Sequence, residues 1–106
     1  MKNFQISIVI PVLNEEAIIS QCLHHIINYK SASDYIKEII VVDGGSADKT
    51  VDQAKIDPLI KVIYSKKGRP FQLNAGAEEA TGEILYFLHA DSFPPKNFDL
   101  LILNAV

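Results

Sequence analysis

The sequence predicts one α/β domain built on a mostly parallel open sheet with helices on both faces, a Rossmann-like arrangement. Three observations predict it. Four apolar runs rich in β-branched residues, at 6–12, 39–42, 59–64 and 84–88, are each followed by a segment of helical patterning. The connections are short, so the order βαβαβαβα calls for crossovers between parallel strands. The runs at 6–12 and 39–42 are continuous rather than alternating, which suits strands buried on both faces.

At 106 residues the chain holds one domain, and 48% hydrophobic with 22% charged residues is ordinary globular composition. The formal net charge of −3 gives no electrostatic footprint for nucleic acid or an anionic membrane surface. No apolar segment reaches spanning length and no secretory leader is legible, so a soluble, cytoplasmic protein is expected. Cys22, the single cysteine, lies in an apolar helical pattern and reads as a small core hydrophobe.

The strand Ile6–Val12 runs into Pro11, which is expected to end its ladder. Asn14 then reads as an N-cap, with Glu15 and Glu16 complementing the first-turn dipole and Ile19, Cys22, Leu23, Ile26 and Ile27 at helical spacing. For Glu15, contact with a ligand at the carboxyl edge of the first strand fits equally well. Residues 28–35 form a polar loop before the second strand, 39–42, which runs directly into Asp43-Gly44-Gly45-Ser46. The glycines permit close backbone approach, and Ser46 reads as the cap of a helix over 48–54. An acid at that corner can accept from a base imide or a ribose hydroxyl. The spacing equally fits a carboxylate that only caps its own turn.

The third strand, 59–64, carries Lys61 and so is expected to be more exposed. Lys66, Lys67 and Arg69 then precede Pro70 and a helix over 71–80, which Thr81-Gly82 closes. Cations before a helix N-terminus attract anions, and the Arg69 fork suits a phosphate held bidentately. The fourth strand, 84–88, ends in His89-Ala90-Asp91. A carboxylate beyond the carboxyl end of a buried strand suits a divalent cation that carries a phosphate. Phe93-Pro94-Pro95 forces an extended segment, and a last helix is expected from Lys96 or Asn97, its apolar pattern running to Val106 without a stop signal.

Four segments in order, 8–16, 40–50, 68–76 and 88–92, closely resemble the successive motifs of family 2 glycosyltransferases, nearest a small bacterial branch with Asp-Gly-Gly-Ser and His-Ala-Asp in these places. The resemblance covers nearly the whole chain. It implies a GT-A fold whose N-terminal half holds a nucleoside diphosphate sugar, a UDP-sugar above all, with Mn²⁺ or Mg²⁺ bridging the diphosphate. By that resemblance Pro11 and Leu13 border the base, Glu15 faces base or ribose, Asp43 with Gly44 meets the base edge, Arg69 lies near the diphosphate, and Asp91 binds the metal. His89 stands where the commoner pattern has a first acid; it can bond the ribose or ligate Mn²⁺, or serve only as a turn residue.

The resemblance also implies that the general base and the acceptor pocket come from a region beyond Val106, leaving 1–106 as a nucleotide-sugar-binding domain that lacks its acceptor part. Glu78, Glu79 and Asp99 are the spare acids, the first two fitting a solvated helix face. The expected activity is glycosyl transfer to an unidentified hydroxyl acceptor. The competing expectation is a catalytically incomplete nucleotide-binding or interaction domain that forms homo-oligomers through an uncovered apolar face. A flavodoxin-like or response-regulator-like domain shares the alternation but leaves Arg69 and His-Ala-Asp unexplained.

Overall fold

The computed structural model describes residues 4–106. Its elements run β1 (Ile6–Val12), α1 (Ile19–Tyr29), β2 (Ile36–Asp43), α2 (Thr50–Ala54), β3 (Ile60–Tyr64), α3 (Arg69–Glu79), β4 (Ile84–Phe87) and α4 (Phe98–Asn104). The four strands form one sheet in the order β3-β2-β1-β4, and every pairing is parallel. The expected α/β architecture is therefore the one observed, and Lys61 is exposed because β3 is an edge strand.

The core divides across the sheet. Ile8, Ile10, Ile39 and Val41 point to one face and pack with Cys22, Leu23 and Ile26 of α1, Ala54 of α2 and Phe98 of α4. Val9, Ile40 and Val42 point to the other face, where they meet Leu73, Ala75 and Ala80 on and just after α3. Strand alternation thus sends successive residues of a continuous apolar run to opposite cores. The α3 face comes very close: a Cβ on Gly76 would lie 2.3 Å from Val9 Cγ1.

Three expectations about loops need correction. Asn14 does not cap α1; it adopts a left-handed conformation at φ 53°, and α1 begins five residues later at Ile19. Ser46 does not cap α2 either, because its hydroxyl donates to the Asp43 carboxylate and accepts from the Asn14 amide. Both side chains serve contacts between loops, which local spacing cannot encode. Pro11 lies inside β1, opposite Val42, so it does not end the strand. Its missing N–H falls on the β4 side. There the last bond is Leu88 N–H to the Val9 carbonyl, so no ladder donor is lost toward β2.

At the opposite, amino-terminal edge lies a polar network that the sequence does not announce. The Glu38 carboxylate, in a residue only 6% exposed, accepts from the Ser7 hydroxyl at 2.7 Å, the Thr81 amide at 2.7 Å, the Thr81 hydroxyl at 2.9 Å and Lys61 Nζ at 3.0 Å. Burial pushes its carboxyl up, but these hydrogen bonds together outweigh it and hold the pKa at about 2, against an ordinary 4.5. A depressed carboxyl contributes stability that is present above the ordinary value and lost as pH falls from there through the folded value. The unfolding free energy from urea titration should therefore drop between pH 4.5 and about 2 in the native protein, by an amount on the order of 2–3 kcal/mol. Glu38→Gln should be less stable than the native chain at neutral pH, and the gap should narrow across that window. A gap that stays constant with pH would rule out this role.

Candidate donor-binding cleft

Because all strands are parallel, Val12, Asp43, Leu88 and the residues after them share one sheet edge. The chain goes from β1 outward through β2 to β3, then returns to place β4 on the other side of β1. The order reverses between β1 and β4, and a crevice opens outside the carboxyl ends of strands at such a switch point. A cleft of about 300 Å³ occupies that place, lined by Pro11, Val12, Leu13, Glu15, Ile18, Arg69, Gln72, His89, Ala90 and Asp91.

Six of the eight expected site residues meet there: Pro11, Leu13 and Glu15 on one wall, His89 and Asp91 on the other, and Arg69 from the first turn of α3. Asp43 and Gly44 are outside the lining. The Asp43 carboxylate, 3% exposed, accepts from the Gly45 amide at 3.0 Å, the Ser46 amide at 2.9 Å and the Ser46 hydroxyl. It caps its own turn. A carboxylate offers about four lone-pair positions, so these three donors leave one for another partner.

The loops after β1 and β2 are stitched together. The Asn14 amide donates to Ser46 Oγ at 2.9 Å, and Asn14 Oδ1 accepts from the Ala47 amide at 2.8 Å. The Glu15 amide donates to Thr50 Oγ1 at 2.7 Å, the Glu16 amide to Asp48 Oδ2 at 3.3 Å, and the Lys49 amide to Glu16 Oε2 at 3.2 Å. Glu15 thereby spends its backbone on the neighbouring loop and keeps its side chain at the cleft, whereas Glu16 spends both on the loop.

The opposite wall is pinned to α1. The buried Cys22 thiol lies 3.5 Å from the Ser92 carbonyl and 4.0 Å from that of His89. Burial, and then the negative charge of Asp91, push this thiol up to about 11, so it stays protonated and donates. His25 stacks on Tyr29, meets Phe93 edge-on and lies 2.6 Å from the Pro94 carbonyl through Nε2. The buried Asp99 accepts from the Ser31 amide at 2.8 Å and the Ser31 hydroxyl at 2.5 Å, which ties α4 to the loop after α1. This carboxylate, expected as a spare acid, is structural.

Between the walls, the Arg69 Nη1 and Nη2 atoms lie 3.0 and 3.1 Å from Nδ1 and Nε2 of His89. A neutral imidazole has a single acceptor nitrogen, so at most one of these contacts is a hydrogen bond at a time. Both side chains are exposed, and a phosphate offers the guanidinium a charge-assisted bidentate partner that imidazole cannot match. The Asp91 carboxylate is exposed and has no hydrogen bond or ion pair among the described residues. Among these residues no cluster of three or more His, Cys, Asp or Glu side chains could hold a metal ion. One free carboxylate in a cleft that also holds Arg69 fits a hard cation that takes its remaining ligands from phosphate and water.

Val12, Ile18, Gln72 and Ala90 complete the lining; none stands out in the sequence, where a glutamine inside a helix reads as an ordinary helix former. Among the described residues no helix is long and apolar enough to cross a membrane.

A family profile described as "Glycosyl transferase family 2" matches residues 7–106. A probable glycosyltransferase of Bacillus subtilis, YdaM, is 35% identical over 102 residues, which is 87% of this chain and 24% of that protein. Among solved structures, the mannosyltransferase PcManGT from Pyrobaculum calidifontis, in complex with GDP-Man and Mn²⁺, superposes with a TM-score of 0.76 at 27% identity over 92% of this chain and 30% of its own. The glucosyl-3-phosphoglycerate synthase from Mycobacterium tuberculosis, in complex with Mn²⁺, UDP and glucosyl-3-phosphoglycerate, gives 0.70 at 28% identity, covering 94% of this chain and 37% of that enzyme. The chain thus spans about a quarter to somewhat over a third of the length of the proteins it matches.

Proposed function

The chain belongs to glycosyl transferase family 2, and on that premise we propose that it is the donor-binding part of an enzyme that moves a glycosyl group from a nucleoside diphosphate sugar, a UDP-sugar, to a hydroxyl acceptor. The observation that carries this reading is the convergence of Arg69, His89 and the unpartnered Asp91 in the switch-point cleft, facing Pro11, Leu13 and Glu15. The base and ribose lie along the wall of Pro11, Leu13 and Glu15, and Asp43 serves this wall from behind by capping the neighbouring turn. Arg69 leaves His89 for the diphosphate, and His89 turns to the ribose side. Asp91 would hold Mn²⁺ or Mg²⁺, which when bound neutralises charge on the diphosphate leaving group. The solved relatives with Mn²⁺ and GDP-Man or UDP support that cation.

Transfer also needs a base within hydrogen-bond reach of the acceptor hydroxyl. Among the described residues, the only carboxylates lining the cleft are Glu15 and Asp91, and this reading gives both to the donor. The acceptor pocket and the base are therefore assigned to residues outside these 106, in keeping with the greater length of the relatives. Calorimetric titration of UDP into the chain, with and without Mn²⁺, tests the donor site. Binding that strengthens with Mn²⁺ is the expected result. Absence of binding in both conditions would leave the fold of a transferase without its site.

A further inference from the structure

Gln72 sits where the ends of β1 and β2 meet the start of α3, and its carboxamide touches all three segments. Nε2 donates to the Val12 carbonyl at the end of β1 and to the Val42 carbonyl near the end of β2, each at 2.9 Å. Oε1 accepts from the Gly68 amide at 3.4 Å, while the Gln72 amide donates to the Gly68 carbonyl at 3.0 Å, closing a clasp over the first turn of α3. Val12 leads into Leu13 and Glu15, Val42 into Asp43 and Gly44, and Gly68 into Arg69. The residue is 5% exposed, so its donors have no alternative partner in bulk water.

Gly44 makes room for this group. A Cβ there would lie 2.9 Å from Gln72 Cδ, 3.0 Å from Oε1 and 3.1 Å from Nε2. The glycine after the Asp43 corner thus has a packing reason: the carboxamide occupies the space a side chain would take.

We propose that Gln72 is a positioning residue, which sets the placement of the Arg69 guanidinium against the wall that carries Leu13 and Glu15. The inference rests on the donor-site reading for its consequence in binding, but its geometric content stands apart from it. Gln72→Met keeps the volume and removes both donors and the acceptor. Two strand-end carbonyls then lose a partner, the Gly68 clasp opens, and Arg69 is no longer held at one distance from the β1 wall.

The test has two readouts on the same 106-residue chain. UDP binding with Mn²⁺ should weaken about tenfold in Gln72→Met, as expected for loss of orientation by one buried network. In ¹⁵N-resolved NMR spectra without ligand, the Arg69 side-chain and His89 ring signals should shift toward averaged positions, while the β1, β2 and β3 amides keep their protection from exchange. Gly44→Ala, which pushes on the carboxamide and leaves its donors intact, should move the same Arg69 and His89 signals, and it serves if Gln72→Met does not fold. Unmoved Arg69 and His89 signals in both variants would overturn the proposal, as would loss of protection throughout the sheet in step with them. If the native chain does not bind UDP, the donor reading fails, and the NMR signals still decide the role of Gln72.

Discussion

Asp91→Asn is expected to abolish the Mn²⁺-dependent part of UDP binding, lowering affinity in the presence of metal on the order of a hundredfold, to the level seen without it. The reason is that the Asp91 carboxylate holds nothing in the fold together, being exposed and without a hydrogen bond or ion pair among the described residues. The turn that carries it is held instead by the Cys22 thiol, with His25 anchoring the Pro94 carbonyl just beyond it. Asparagine preserves its shape, so the melting temperature should stay within about a degree or two of the native value. Calorimetry with and without Mn²⁺ gives the answer. Metal-dependent affinity that survives the substitution would remove Asp91 from the site.

The largest expected loss of stability comes from the far side of the sheet. Gly76→Ala places a Cβ 2.3 Å from Val9 Cγ1, 3.3 Å from Val9 Cβ and 3.2 Å from Val42 Cγ2. Valine in a central strand cannot swing away, since its rotamers are few and both residues are fully buried. Alanine gains about 1 kcal/mol of helix propensity over glycine, but forced overpacking costs more, for a net destabilisation of about 2–4 kcal/mol. Thermal unfolding followed by circular dichroism should show a melting temperature lower by about 10 °C or more. Adding Val9→Ala should recover part of the loss, because it removes the 2.3 Å approach to Cγ1 and leaves the contact with Val42. A Gly76→Ala chain as stable as the native one would mean that α3 can lift from the sheet at little cost.

How much of this is readable in the sequence depends on how far apart the partners lie. The strands and the corners at Asp43 and Asp91 are legible, because a continuous apolar run that stops at an acid is a local pattern. So is the greater exposure of β3, from Lys61 alone, whereas β4, the other edge strand, carries no charge that shows its place. Asn14 and Ser46 read as helix caps for the same reason: spacing sees the nearest helix, whereas their partners lie 32 and 33 residues away. Glu38 looks like one more solvated strand charge until Ser7, Lys61 and Thr81 arrive from three other segments. Asp99 looks spare until Ser31 closes on it. Of the cleft, the residues with chemical character show in the sequence, while Gln72, whose importance lies in what it touches, does not.

The stitched loops after β1 and β2 have a consequence for the entropy of binding. The backbone from Asn14 to Thr50 that flanks the proposed base wall is already fixed by five loop-to-loop hydrogen bonds, so a nucleoside docking there immobilises little that was free. The proposed phosphate wall is different. There Arg69 is exposed, and capturing this long side chain on a diphosphate costs about 0.5–1.5 kcal/mol of rotamer freedom. The cost of ordering is thus concentrated on the charged half of the ligand, where Coulomb attraction is strongest and most able to offset it.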